Sequence, residues 1–219
     1  MIRGLIGLAP LFLAGPAHAH GTIPGGAGFY AGFVHPFVTP EHLICLIAVG
    51  LLMGRMPAAN LAGLSGGQPY KPRRLPIAGL FAGIVLGLGL SAMGLRPTGA
   101  AGGILVQGAL VLAMATGLCL TTYLWLPVWG IAVLAAIAGS ITSLDTDLAT
   151  IAGLPNLATA LPYLGLLAGI TIITLNAMAL ASVVRRPPYT IALRVAGSWI
   201  AAIGLLVLVL SLRGIGGGP

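Results

Sequence analysis

Long apolar runs, separated by short segments that hold nearly all of the charged residues, are the feature that most constrains this chain. Hydrophobic residues make up 58% of its 219 residues and charged residues only 6%, and the mean hydropathy is +1.07. In lipid, every backbone N–H and C=O must be satisfied within its own segment, so apolar runs of spanning length fold as transmembrane α-helices. The sequence therefore predicts an all-α, multi-pass protein of the lipid bilayer, with no segment left over for a separate soluble domain.

The beginning of the chain has the pattern of a secretory signal peptide. Arg3 supplies a positive charge, a short apolar stretch follows it, and a small-x-small cleavage motif ends at Ala19. The apolar stretch is too short to span a bilayer, which favours cleavage over an uncleaved anchor. We therefore expect a signal peptide at 1–19, a mature protein that begins at His20, and one transmembrane domain over residues 20–219.

Each of the apolar runs that follow is predicted to be a transmembrane helix. Their approximate boundaries are 28–54, 76–95, 102–126, 128–144, 160–184 and 189–212. Six of the ten basic residues lie in the segments 55–75 and 185–188, which the positive-inside rule places in the cytoplasm. The mature N-terminus is then on the periplasmic side of a bacterial inner membrane. The same distribution explains the net charge of +7 as a topology signal, so no nucleic-acid partner is expected.

Small residues recur at every fourth position on several of the predicted spans. This spacing lets two helix backbones approach closely. It is compatible with a dimer seam and with packing inside the bundle, and we favour internal packing because a compact six-helix protein needs such faces in any case. The residues concerned are Gly79, Gly83, Gly87 and Ser91 on the second span, Ala109, Ala113, Gly117 and Thr121 on the third, and Gly165 and Gly169 on the fifth.

Two prolines interrupt the first span, Pro36 and Pro40, because proline lacks an N–H and disfavours helix at the residue before it. Thr39 followed by Pro40 is typical of an N-cap and a first helical residue. We predict a regular helix from Pro40 to Gly54, about 22 Å long and therefore short of a ~30 Å hydrocarbon core. The segment 28–39 is expected to be irregular and to dip into the membrane to meet this broken first helix, a common construction for a midplane binding site.

Two histidines and the only glutamate of the chain lie at that break, between His35 and His42. Glu41 and His42 open the helix, Cys45 shares a face with them, and His20 adds a free α-amine after cleavage. Ionisable groups are costly in hydrocarbon, so such a cluster indicates a functional site. Imidazole with carboxylate suits Ni, Cu, Zn or Co better than Mg or Ca. The sequence predicts a transition-metal site of His35, Glu41, His42, His20 and Cys45.

Each of these residues has a plainer interpretation when it is taken alone. Glu41 would stabilise a helix N-terminus through the macrodipole. His35 and His42 suit loop or core histidines, His20 suits a disordered terminus, and Cys45 suits a small buried hydrophobe. Their joint occurrence at one mouth of the bundle favours metal binding.

The other carboxylates of the chain, Asp145 and Asp147, fall in the predicted outer loop 145–159. They would attract cations to the mouth of the bundle electrostatically. A role as turn or cap residues is favoured, since aspartate is common in turns and the two residues do not share a helix face.

The residues around the break resemble the HupE/UreJ family of hydrogenase and urease accessory proteins. The likeness lies in the segments AHAHG, GFYAGFVHP, EHL and AVGL within residues 17–51, and the family pattern H-x5-D-H reads H-x5-E-H here. The signal peptide and six spans match as well. The resemblance implies a metal permease, chiefly for nickel, and carries His35, Glu41 and His42 over as metal-handling residues. The family's second motif, F-H-G-x-A-H-G-x-E, is missing from this chain.

The predicted function is a divalent transition-metal permease, with nickel favoured, which binds its ion at an outer-side His/Glu site. A non-transporting metal-binding or assembly subunit of a membrane complex is the alternative, because a permeant ion needs a succession of sites and the second motif is missing. A haem protein or intramembrane enzyme is disfavoured, since the proline break makes opposed axial histidines awkward; the protein is not expected to be an enzyme. A homo-oligomer and a membrane-complex partner both remain open.

Overall fold

The computed structural model describes residues 28–55, 74–146, 157–183 and 187–213, and every regular element within them is an α-helix. In chain order the helices are α1 (Phe29–Val38), α2 (Pro40–Arg55), α3 (Arg74–Ala92), α4 (Ala100–Thr122), α5 (Val128–Asp145), α6 (Leu157–Val183) and α7 (Pro187–Leu212). The predicted signal peptide and His20 lie outside the described residues.

Five of these helices, α3 to α7, are long and apolar enough to cross a membrane on their own. Helices α1 and α2 meet the same criterion only together, as a pair bent by 79°. The described residues thus hold up to six spans when the bent pair counts as one, with boundaries within a few residues of those predicted. The prediction of an all-α, multi-pass membrane protein is confirmed.

Helix α2 lies at the centre of the bundle, because every residue from Leu43 to Gly54 is apolar or glycine. From Cys45 to Gly54, all residues except Ile47 are buried, and α2 packs against α1, α4, α5, α6 and α7. By contrast, only 22% to 39% of the residues in the most apolar stretches of α3 to α7 are buried. The outer helices therefore present most of their surface to lipid and withdraw α2 from it.

The break between α1 and α2 lies at Thr39, whose backbone is extended (φ −98°, ψ 101°). Its N–H and its hydroxyl both donate to the His35 carbonyl, at 3.2 Å and 2.9 Å. Its own carbonyl accepts the Leu43 N–H at 3.0 Å. These bonds close α1 and open α2 within one residue, and the predicted break in the first span is confirmed.

One detail of that prediction is wrong. The segment before the break is helical rather than irregular, since α1 continues through Pro36. Proline removes one N–H and crowds the carbonyl four residues earlier, but α1 packs closely against α6: its Gly32 lies against the Pro162 carbonyl of α6. Thr39 and Pro40 are the N-cap and the first residue of α2, as predicted, although the Thr39 hydroxyl donates backwards into α1.

The glycine stripes lie at helix–helix contacts inside the bundle. A Cβ built on Gly139 of α5 would come within 2.6 Å of the Leu80 carbonyl of α3, and one on Gly117 of α4 within 2.7 Å of the Gly197 carbonyl of α7. Any larger residue would push these helices apart, which is the reason for small residues at such contacts. Internal packing is therefore confirmed as the role of the predicted stripes, in which Gly79, Gly83 and Gly87 face α5, and Gly165 and Gly169 face α1.

Candidate metal site

His42 lies in the first turn of α2, and its side chain is completely buried. Its Nε2 is 3.1 Å from Oδ2 of Asp145, although the two residues are 103 positions apart in the chain. Asp145 is the last residue of α5, so the end of α5 and the start of α2 meet at one end of the bundle. The side chain of Asp145 is 18% exposed. The pair therefore has a buried imidazole and a carboxylate that reaches the surface.

The second ring nitrogen of His42, Nδ1, is buried and has no hydrogen-bond partner among the residues that the structure describes. Leaving a buried polar atom without a partner costs roughly 1–3 kcal/mol. Histidines that ligate metals use one ring nitrogen for the ion and commonly donate the other N–H to a carboxylate. The surroundings of His42 match this arrangement, with Asp145 at Nε2 and an open Nδ1.

His35 lies on the other side of the break, at the end of α1, and is half-buried. Its ring centroid is 5.5 Å from that of His42, with the two planes inclined by 56°. A metal–nitrogen bond of about 2.0–2.1 Å puts two imidazole centroids on a tetrahedral ion on the order of 5 Å apart. The break therefore brings both histidines to a spacing that a single ion can bridge.

The remaining predicted ligands do not complete a set. Glu41 is half-buried whereas His42 is fully buried. Adjacent residues point in different directions on a helix, so the predicted shared face holds for His42 and Cys45 but not for Glu41 and His42. Cys45 is a free, fully buried thiol one turn after His42. Within the described part of the chain, no three His, Cys, Asp or Glu side chains are grouped so that they could hold an ion. The structure brings His42 together with His35 and with Asp145 as two pairs, and His20 lies outside the description.

Asp145 is the site residue missing from the predicted ligands. The sequence favours a turn or cap role for it in an outer loop, whereas it ends α5 and contacts His42. Asp147 lies outside the described residues. Topology could have pointed to it. In an up-and-down bundle the first span begins on the side where the fourth span ends, which places His42 and Asp145 on the same side. The chain also has only three carboxylate side chains.

Arg96, in the link between α3 and α4, holds the end of α5 in place. Its Nη2 donates to the backbone carbonyl of Asp145 at 3.0 Å. This carbonyl belongs to the C-terminus of α5, where the macrodipole favours a cation. The contact fixes the backbone that carries the Asp145 carboxylate.

Hydroxyl groups deeper in the bundle serve helix packing. Thr142 and Thr174 donate to carbonyls one turn back in their own helices, at 2.8 Å and 2.9 Å. Ser140 of α5 also donates to the Gly83 carbonyl of α3 at 3.1 Å. The hydroxyls of Thr142 and Thr174 thus have acceptors within their own helices, and that of Ser140 joins α5 to α3.

Five long apolar helices and one bent pair define a multi-pass membrane protein. Beside the bend, a buried histidine next to a partly exposed carboxylate forms a candidate cation site. The family model described as HupE / UreJ protein matches residues 8–207, and the chain belongs to that family, as its resemblance predicts. The family is associated with nickel or cobalt transport or accessory function. No curated protein matches the chain, and no solved structure matches it.

Proposed function

We propose that this protein is a permease for a divalent transition metal, with nickel as the favoured substrate and cobalt, zinc or copper as alternatives. The observation that carries the proposal is the buried, unpartnered Nδ1 of His42 with the ring of His35 centred 5.5 Å away. Imidazole nitrogens suit these metals, whereas Mg and Ca prefer oxygen ligands. The association of the HupE/UreJ family with nickel and cobalt supports the same substrate class.

The proposed binding site consists of His35, Glu41 and His42 on the outer side of a bacterial inner membrane. Helix α2 has 16 residues and is about 24 Å long, short of a ~30 Å hydrocarbon core. A site in its first turn therefore lies below the bilayer surface. Glu41 supplies negative charge close to the imidazoles, which favours a divalent cation there. His20, at a mature N-terminus on the same side, and Cys45, one turn deeper, are further candidate ligands.

An incomplete ligand set suits transport better than storage. The described ligands lie in pairs, and no three of them are grouped. An ion at His42 therefore keeps part of its water shell or gains His35 by side-chain rotation, with Glu41 as a nearby negative charge. Conduction requires a site that binds well enough to admit an ion but weakly enough to release it. Metal ligands must be deprotonated, so binding releases protons. The chain has no nucleotide-binding motif, and transport is therefore facilitated or driven by an ion gradient.

A non-transporting metal-binding or assembly subunit is the second candidate function. It is favoured by the packing of α2 below His42, where Cys45, Leu46 and Val49 are all 0% exposed. An ion that moved along the described part of α2 would therefore not meet a series of polar side chains. The two candidates share the His42 site and differ in whether the ion crosses the membrane.

The first test is the metal content of the purified full chain after equilibration with nickel, cobalt, zinc and copper. We expect about one ion per chain in the wild type and loss of that ion in His42→Ala, because a ligand is removed. Asn176→Ala is the matched control: its side chain is exposed and donates to the Ile172 carbonyl of its own helix. Equal metal content in wild type and His42→Ala would refute the site.

The second test separates the two candidate functions. Wild type, His42→Ala and Asn176→Ala are reconstituted into liposomes, and uptake of radioactive nickel is followed over time. Uptake by wild type and Asn176→Ala, with none by His42→Ala, is the result expected of a permease. Metal bound without flux, together with co-purification of a stoichiometric partner, would identify a binding or assembly subunit.

A further inference from the structure

We infer that Asp145 is a positioning residue for the metal site: its carboxylate accepts the Nε2–H of His42, fixes the Nε2–H tautomer and presents the Nδ1 lone pair to the ion. The metal part of this inference rests on the proposed function, whereas the tautomer rests on the contact between the two side chains alone.

The surroundings of His42 distinguish its two tautomers. With the proton on Nδ1, the Nε2 lone pair would face the Asp145 carboxylate at 3.1 Å, and the buried Nδ1–H would have no acceptor among the described residues. The Nε2–H tautomer donates to Asp145 and leaves only the lone pair of Nδ1 without a partner. A metal ion binds to such a lone pair.

The backbone that carries the carboxylate is held by Arg96, which donates to the carbonyl of Asp145 at 3.0 Å. The next residue, Thr146, is fully buried, and its hydroxyl donates to the Thr142 carbonyl at 2.9 Å. These contacts hold the end of α5, and with it the carboxylate that lies 3.1 Å from Nε2 of His42.

This role differs from that of a ligand. A carboxylate that accepts the second N–H of a metal-binding histidine raises the basicity of the ligating nitrogen and fixes the ring, and removal of such a partner typically lowers metal affinity about 10–100-fold. An amide oxygen accepts the same hydrogen bond without the negative charge. Asparagine at this position should therefore preserve the tautomer and lose only part of the affinity, whereas alanine should lose both.

The tautomer is tested on the metal-free full chain with ¹⁵N-labelled histidine, in detergent, by long-range proton–nitrogen correlation. The His42 signals are identified by their absence in His42→Ala. We expect an unprotonated Nδ1 and a protonated Nε2 in the wild type and in Asp145→Asn, and a mixture of tautomers in Asp145→Ala. Asn176→Ala, whose side chain is exposed and bonded within its own helix, is the control and should give the wild-type spectrum. A protonated Nδ1 in the wild type overturns the inference without any variant, as does an unchanged tautomer in a folded Asp145→Ala.

Nickel titration of the same samples supplies the second readout. We expect affinity to fall about 10–100-fold in Asp145→Ala, less in Asp145→Asn, and not at all in Asn176→Ala. Equal losses in Asn and Ala, with the tautomer preserved in Asn, would make Asp145 a direct ligand and overturn its positioning role. If the wild type binds no metal although His42 is in the Nε2–H form, the proposed function fails while the tautomer assignment stands.

Discussion

The two ends of α2 are held by polar contacts of different kinds. At its start, His42 is bonded to Asp145 through one ring nitrogen, and its other nitrogen has no partner in the described part of the chain. At its other end, Arg55 donates from both terminal nitrogens to the carbonyls of Cys119 and Leu124. One end of the helix thus has an unused polar atom, while at the other end both terminal nitrogens of the cation are bonded.

The Arg55 contacts complete the end of α4. Tyr123 ends that helix in the left-handed conformation (φ 58°), and the guanidinium of Arg55 lies 4.5 Å from the centroid of its ring. Arg55 adds a donor to the Cys119 carbonyl, which also accepts the Leu124 N–H at 3.2 Å, and a second donor to the Leu124 carbonyl. Its guanidinium adds a cation–π contact. Polar groups that have hydrogen-bond partners, such as the terminal nitrogens of Arg55, stabilise the fold. A buried polar atom without a partner, such as Nδ1 of His42, is available to a ligand.

The largest expected effect is at the start of α2. His42→Leu should lower nickel affinity by about 100-fold or more, since it removes the ligand itself, where loss of a supporting partner alone typically costs 10–100-fold. Its free energy of unfolding should change by less than about 1 kcal/mol, because leucine removes the buried, unpartnered Nδ1 and leaves only the partly exposed Asp145 carboxylate, which water can solvate. Titration calorimetry and a denaturation curve measure the two quantities.

The outcome that would break the comparison is the reverse pattern. A His42→Leu protein that unfolds readily but still binds nickel would make His42 a structural residue like Arg55. Asp145 is partly exposed and remains hydrated in this variant. The loss of its partner therefore lowers the free energy of unfolding only slightly.

Much of this fold is accessible from sequence because the bilayer leaves few alternatives. Hydropathy is a local property, and a helix is the structure that satisfies an apolar segment in lipid, so the limits of α3 to α7 fall close to the apolar runs. Proline chemistry is local as well, and it locates the break at Thr39. The helical state of α1 was not predictable from Pro36, because it depends on packing against α6.

The candidate site was predictable only in part, because sequence patterns show local chemistry but not the packing of one helix against another. His35, Glu41 and His42 stand close together in the chain, and their chemistry can be read there. Asp145 reaches His42 only because the end of α5 lies beside the start of α2. Such a contact, between residues 103 positions apart, depends on how the helices associate, which no local pattern encodes.

The second largest effect is expected at the opposite end of α2. Arg55→Ala should lower the free energy of unfolding by about 1–3 kcal/mol, since two charge-assisted bonds are lost. Nickel affinity should stay within about three-fold of wild type, because distant sites contribute independently. Arg55→Lys, which keeps the charge but not the fork of donors, should recover part of the stability. A large loss of nickel affinity in Arg55→Ala would show that the two ends are coupled through α2.

A smaller effect is expected for Glu41, which shares the first turn of α2 with His42. Glu41→Gln should lower nickel affinity about 3–10-fold through lost electrostatic attraction, and the difference from wild type should shrink as salt is raised. Glu41→Asp, which keeps the charge and restores the family's usual residue, should bind like wild type. A loss as large as that of His42→Leu, independent of salt, would instead make Glu41 a direct ligand.

The smallest effect is expected for Cys45, one turn below His42 and fully buried. Cys45→Ala should lower the free energy of unfolding by about 1 kcal/mol, as expected when a small group is removed from a packed core. Nickel affinity should stay within about three-fold of wild type, because the Cys45 thiol belongs to no three-residue ligand group among the described residues. Cys119→Ala, at the Arg55 end, is the matched control. If Cys45→Ala lost metal binding while Cys119→Ala did not, the ligand set would extend a turn deeper into α2. The apolar packing below His42 would then have to open for the ion, and the start of α2 would be the upper part of a path instead of an isolated site.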